Sequence, residues 1–268
     1  MIPDYHMHTT LCGHATGTTV EYVETAARLG IREIGFTDHS PMRQPFDDWR
    51  MAWEDFPRYL EMVETARKRG TELGVTVRLG LECDYLPGHE DWLKELSAAA
   101  EFDYLIGSVH YLDDDLVVDH PEHLSRLQEQ PAAEVWTRYW NLYARAIRTE
   151  LFDIMAHPDL PKKFGHVPEG DLRPYFQESI DTLSRAGSCI EINTAGLRKP
   201  IAEMYPSAAF LTSAHEAGIP LTIGSDAHAP DEVGADFDRA LDLARRCGYT
   251  EVLTFEKRRP QPLTLPTS

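Results

Sequence analysis

Apolar and polar positions along the chain alternate between two periods. Short runs rich in β-branched and aromatic residues read as strands: "PDYHMH", "EIGFTD", "VTVRLGLE", "DYLIGSVH", "LFDIMAH", "SCIEIN" and "PLTIGSD", with "EVLTFE" as a late addition. Between most of them lie stretches with apolar residues three or four apart, the period of a half-buried helix. Thr18 and Glu21 make a capping-box pattern at the first such stretch, and Gly30 closes it. The same stop recurs as "LG" before Ile31 and Val75, "AG" before Ser188 and Ile219, and "CG" before Tyr249. Each is a glycine that ends a helix and leads directly into a strand, as in the tight connections of α/β folds.

Repeated strand–helix units imply a parallel sheet, either doubly wound or closed into a barrel. Neither a GxGxxG run nor a Walker loop is present, so the usual nucleotide cradle of an open sheet is missing. With no linker or low-complexity segment, residues 1–268 read as a single domain. The stretches from Pro41 to Pro57 and from Asp113 to Pro131 read as loops, and loops of that length are usually functional or mobile. The end, "RRPQPLTLPTS", reads as part of a poorly ordered tail that begins at about residue 257.

Composition narrows the function classes. A chain of 268 residues, 42% hydrophobic and 26% charged, can bury a full core without disulfide or metal staples. Its net charge of −18 argues against a general nucleic-acid or anionic-membrane surface, though a few cations in one cleft can still hold an anion. No run approaches the roughly 20 apolar residues of a bilayer span, and the start lacks an apolar signal core. The four cysteines are scattered with no CxxC pair, which suits a reduced cytoplasmic protein.

The chemistry sits at the strand ends. The first strand ends in His6 and His8, the second in Asp38 and His39, and the third in Glu82. His110 ends the fourth, His157 the fifth, and Asp226 the seventh, with His228 just beyond. In a parallel barrel these ends converge on the C-terminal face, where barrel enzymes build their sites. His6 and His8 stand two apart, so both can chelate one ion, and imidazole with carboxylate is a normal ligand set for zinc, iron or manganese. Taken singly, each residue has a plainer explanation: a chance HxH, a helix-start His39, a loop His157, a Glu82 paired with an arginine. Six strand ends that agree on one face are harder to explain that way. Lys162 and Lys163 follow one ligand-bearing strand, and Arg198 and Lys199 follow another; cations at such loops suit a phosphate.

The ordered set His6-x-His8, Cys12-x-His14, "FTDH", "GLE", "GSVH", "HPD" and "SDAH" resembles the polymerase-and-histidinol-phosphatase (PHP) family over the chain from His6 to about the final helix. The segments "LGLECDYLPG", "GSVHYL", "HPDLPKKFG" and "EINTAGLRKP" resemble its histidinol-phosphatase branch most closely. The resemblance implies a distorted (βα)7 TIM-like barrel holding three divalent transition-metal ions. It implies that His6, His8, Glu82 and Asp226 hold one ion, and that Glu82 bridges to a second completed by His110 and His157. His14, His39 and His228 would hold the third. One departure is Lys162–Lys163, where the branch often carries arginine.

The expected reaction is hydrolysis of L-histidinol phosphate to L-histidinol and phosphate, a step of histidine biosynthesis, by hydroxide held between metals. Arg198, Lys162 and Lys163 would bind the phosphate and stabilise its charge, and Asp38 is a weak candidate for the proton donor to the leaving alkoxide. The rivals are a related phosphoesterase acting on a nucleotide, phosphotyrosine or another small ester, and a non-catalytic metal-binding domain. The partner is thus a small phosphorylated molecule, with no nucleic acid or membrane expected and the oligomeric state open.

Overall fold

The computed structural model describes residues 1–44, 46–113 and 116–266. Strand β1 (Glu33–Phe36) pairs in parallel with β2 (Thr76–Leu79), placing Ile34 opposite Val77. The run read as one strand, "VTVRLGLE", breaks at Gly80: a side chain there would strike Thr37 and Tyr104. The chain resumes as β3 (Glu82–Asp84), which starts a parallel sheet with β4 (Ile106–Ser108), β7 (Ile154–Met155), β8 (Cys189–Asn193) and β9 (Leu221–Gly224). Single bridges close the ring: His39 with Glu82 on one side, Met7 with Ala227 on the other, and Asp4 with Ile34 between. The first segment is therefore extended but not a regular strand. Its backbone is held by Gly35 N donating to Asp4 O (2.8 Å) and His8 N donating to Ala227 O (2.9 Å).

Helices α1 (Thr19–Leu29), α2 (Phe56–Leu73), α3 (Glu90–Ser97), α5 (Ala132–Arg148), α6 (Arg173–Ala186), α7 (Ala208–Glu216) and α8 (Phe237–Arg246) follow the apolar stripes, and α4 (Leu124–Gln128) is a short turn of helix. The capping box of Thr18 and Glu21 forms in full, and Gly30 takes the left-handed conformation (φ 77°) that lets α1 stop and turn into β1. On the outside, the Trp140 ring of α5 stacks on Phe210 of α7 at 5.2 Å, with Phe176 of α6 at 5.8 Å completing the layer.

Of three further expectations, two change. The stretch read as a loop from Asp113 to Pro131 contains β6 (Leu116–Val117), paired back on β5 (Tyr111–Asp113), and then α4. The loop expected from Pro41 to Pro57 holds over the described residues 41–44 and 46–52, and ends a little early in a 3-10 turn at Trp53 and the start of α2 at Phe56. The tail is not loose up to Pro266: β10 (Glu251–Glu256) and β11 (Arg259–Thr264) form an antiparallel hairpin, while residues 267 and 268 lie outside the described residues. Phe255 of this hairpin is buried against Tyr5, Tyr104, Ile106, Ile154, Ala156 and Cys189. An exposed, proline-bearing β11 carries no apolar period, which is why the sequence pattern missed it.

Candidate functional site

Glu82, buried at the start of β3, is the hub. Its Oε2 lies 2.9 Å from His39 Nδ1, 3.5 Å from His6 Nε2 and 3.6 Å from His8 Nε2. Its Oε1 lies 2.8 Å from His157 Nε2 and 3.6 Å from His110 Nε2, and accepts a hydrogen bond from Ser108 Oγ at 2.6 Å. Asp226 Oδ1 stands 3.1 Å from His8 Nε2, 3.7 Å from His6 Nε2 and 3.6 Å from His228 Nδ1. His14 stacks on His228 with ring centres 4.7 Å apart and lies 5.5 Å from His39. All nine side chains of the ligand set implied by the PHP resemblance thus meet at one mouth.

The rings are held from behind. His6 Nδ1 lies 2.8 Å from Glu191 Oε1, His110 Nδ1 2.7 Å from Asp84 Oδ1, His14 Nδ1 2.9 Å from Cys12 O, and His228 Nδ1 3.1 Å from Asp226 O. A carboxylate or carbonyl only accepts, so these Nδ1 atoms carry the hydrogen and each Nε2 lone pair is free. At the centre the normal rule of satisfied buried polar groups breaks down. His6 Nε2, His8 Nδ1, His39 Nδ1, Glu82 Oε2 and His157 Nδ1 are buried without an aligned hydrogen bond, although His39 Nδ1 and Glu82 Oε2 stand 2.9 Å apart. Of these, His6 Nε2 and His39 Nδ1 face Glu82 Oε2, a set of nitrogen and oxygen atoms that fits a metal centre, while His8 and His157 turn Nε2 rather than Nδ1 to Glu82.

The electrostatics agree with that fit. Burial alone would raise the Glu82 carboxyl, but His39, His6 and His110 hold it well below the usual carboxylate range. His110 is pushed up to about 9: burial opposes the charge, but Asp84 and Glu82 outweigh it. His39 is pushed down to about 4, chiefly by burial.

Above the cluster lies a cavity of about 540 Å³, lined among others by Asp48, Trp49, Asp119, His120, Lys163 and Lys199. Trp49 meets His39 edge-on at 4.7 Å and stacks on Tyr111 at 5.7 Å. Arg50, over the indole at 4.3 Å, ties this loop to Asp84 (2.9 Å) and so to the back of His110. Lys163 faces the cavity with its ammonium on Asp119 Oδ2 (3.0 Å).

The other expected residues part company here. Lys162 is buried, donates to Met204 O (2.7 Å) and lies over the Tyr205 ring, away from the cavity lining. Neighbours in a 3-10 turn cannot share a face, and of the two lysines Lys163 lines the cavity. Arg198 Nε is 3.1 Å from Glu232 Oε1, and its Nη2 donates to Ser225 O at 2.7 Å, while Nη1 is buried and unpaired. Its neighbour Lys199 lines the cavity instead. Asp38, fully buried, accepts from Thr9 N (3.2 Å) and His39 N (2.8 Å) and is not part of the cavity lining.

Sequence reading missed Glu191, Asn193, Asp84, Asp48 and Trp49. Glu191 and Asn193 had a readable mark: polar residues two apart inside "CIEIN", a strand that is buried throughout.

The model of the PHP domain matches residues 4–195. The chain belongs to the PHP family. This PHP chain is 41% identical over 260 residues to a protein of Deinococcus radiodurans named "Probable histidinol-phosphatase", covering 97% of this chain and 98% of the relative. It is 28% identical to the "Histidinol-phosphatase" of Bacillus subtilis, covering 89% of this chain and 98% of that one. Among solved structures, the Lactococcus lactis histidinol phosphate phosphatase complexed with zinc, L-histidinol and phosphate superposes with a TM-score of 0.82. At 21% identity it covers 97% of this chain and 98% of that chain, and supports the same fold.

Proposed function

We propose that this PHP domain hydrolyses a phosphate monoester and that the ester is L-histidinol phosphate. The observation that carries the reading is the set of buried, unpaired ligand atoms around Glu82, set below a cavity whose rim bears Lys163 and Lys199. The histidinol-phosphatase names of full-length relatives, one at 41% identity, point to the same substrate.

His6, His8, Glu82 and Asp226 would hold one divalent zinc, iron or manganese ion. Glu82 Oε1, His110 and His157 would hold a second, and His14, His39 and His228 a third. Such ions, when bound, lower the pKa of water toward neutrality and neutralise phosphate oxygens. The chain's own contribution is to orient and compensate charge. The back partners fix His6, His14, His110 and His228 so that Nε2 is left free, whereas His39 turns Nδ1 toward Glu82. Lys163 places a positive charge beside the phosphate, and the ammonium of Lys199, which has no partner among the described residues, is free to do the same. Arg198 anchors Glu232, whose Oε2 accepts from His228 N at 2.8 Å, so it sets the loop carrying Asp226 and His228 as well as offering Nη1. In the same lining, Trp49 offers an aromatic wall and Asp48 a carboxylate, chemistry suited to the imidazole and ammonium end of the substrate. The four cysteines are all free, as suits a reducing cytoplasm. No helix among the described residues is long and apolar enough to cross a membrane.

The test is turnover of L-histidinol phosphate by metal-loaded protein beside phosphotyrosine and a nucleotide panel. Histidinol phosphate is expected to give the highest kcat/KM. Negligible turnover of it beside rapid cleavage of another ester would move the substrate elsewhere, and fewer than two metals per chain with no phosphatase activity would leave only a binding domain.

A further inference from the structure

Glu191 is a buried carboxylate for which neither the strand-end pattern nor the ligand set has a use. It lies inside β8, 1% exposed. Three donors converge on it. His6 Nδ1 lies 2.8 Å from Oε1, while the backbone N of His157 (3.1 Å) and Asn193 Nδ2 (3.0 Å) both donate to Oε2. The Asn193 amide is pinned in that sense, because its Oδ1 accepts from Ala195 N at 3.0 Å, and the same Nδ2 also donates to Asp226 Oδ2 at 3.2 Å. Among the described residues no lysine or arginine pairs with Glu191; its one ion-pair contact is His6. The surroundings are shaped to admit it. A methyl group on Gly224 of β9 would overlap both the Glu191 carboxylate and His6 Cβ.

A purely structural role does not need an anion here. Burying a carboxylate without a cationic partner is costly, and a neutral side chain of similar shape is usually at least as stable. What the anion does is accept everywhere. An amide in its place would aim its NH2 either at the two donors on Oε2 or at His6 Nδ1. The first leaves donors facing donors. The second reverses the His6 tautomer, so that Nε2 carries hydrogen toward Glu82 and Asp226. The reach also extends to a second ring. His157 sits at φ 22°, a conformation side chains rarely adopt, and its N–H is held by the same carboxylate.

The geometry points to Glu191 as a positioning residue that orients His6 and His157 together, one imidazole on each oxygen of Glu82. This rests on the proposed metal centre. A carboxylate behind an imidazole makes it a better ligand, and losing such a partner costs on the order of 10–100-fold in metal affinity.

The experiment compares the full-length wild type with Glu191→Gln and Glu191→Asp. It measures zinc affinity by chelator competition, metals per chain, the Tm of metal-free protein, and kcat and KM at saturating metal. Glu191→Gln is expected to bind zinc about 10–100-fold more weakly, to lose kcat with KM little changed, and to keep the metal-free Tm. Glu191→Asp, which stays an anion, is expected to recover part of the affinity. Zinc affinity and stoichiometry unchanged in Glu191→Gln would overturn the inference while leaving the metal centre standing. A wild type that binds no metal would sink both. Should Glu191→Gln fail to fold, long-range 1H–15N spectra of the zinc-loaded wild type decide: hydrogen on His6 Nδ1 supports the assignment, and hydrogen on Nε2 overturns it.

Discussion

The mouth of the barrel and the layer beneath it are built from the same strands and treat buried polar atoms in opposite ways. By the two-residue period, Ile106 sits beneath Ser108, Ile154 beneath Ala156, and Cys189 beneath Glu191. Phe255 packs against this lower layer. There Tyr104 Oη donates to Tyr5 O at 2.7 Å, and the Tyr5 hydroxyl, paired with Glu33, accepts from Phe255 N at 3.2 Å. Asp4, raised by burial, still accepts from Ser225 N and Gly234 N, both at 2.9 Å. Two pleats higher, imidazole and carboxylate atoms are buried without an aligned hydrogen bond. The lesson is that burial by itself marks no function, and neither does one unpaired atom such as Trp140 Nε1; a cluster of unpaired ligand atoms does.

The contrast makes changes above and below separable. The largest effect belongs to the mouth. His8→Ala should lower kcat by about a thousandfold, with little change in metal-free Tm; an active His8→Ala enzyme would break the proposed ligand set. Phe255→Ala should do the reverse, costing about 3–5 kcal/mol of stability while kcat at low temperature holds. Loss of activity in a still-folded Phe255→Ala protein would join the two layers functionally. Lys163→Ala should raise KM by roughly tenfold with a smaller change in kcat, whereas Lys162→Ala should act on stability. Equal KM effects from the two lysines would undo the distinction drawn from their facing. Asp48→Asn should raise KM for histidinol phosphate by a few-fold and leave p-nitrophenyl phosphate, which lacks the cationic end, unchanged.

A last effect is on pH, read in the metal-free protein. With its folded pKa near 9 against 6.5 when unfolded, the protonated His110 stabilises the metal-free protein fully below about 6.5. That share is lost as pH rises through about 9, so the metal-free Tm should fall over this interval. A metal-free Tm that stays flat or rises from pH 6 to 9 would contradict the charged pairing of His110 with Asp84 and Glu82.

Much of this was legible before any coordinates. The capping box of Thr18 and Glu21 and the glycine stops are contacts within a few residues, so local chemistry suffices to read them. The ligands were legible because a parallel barrel forces strand ends onto one face, which turns position in the chain into position in space. The hairpin at Arg259–Thr264 was not, because its exposed residues leave no period to detect.

What the sequence determined by itself was the alternation of most strands and helices of the barrel and the residue types able to hold metal, since both follow from short-range periodicity and from residue type. Only the tertiary structure decided which atom of each ring is free, which lysine faces the cavity, and that Glu191 stands behind His6 across 185 residues. Those outcomes depend on which distant segments pack together, and no local pattern carries that information.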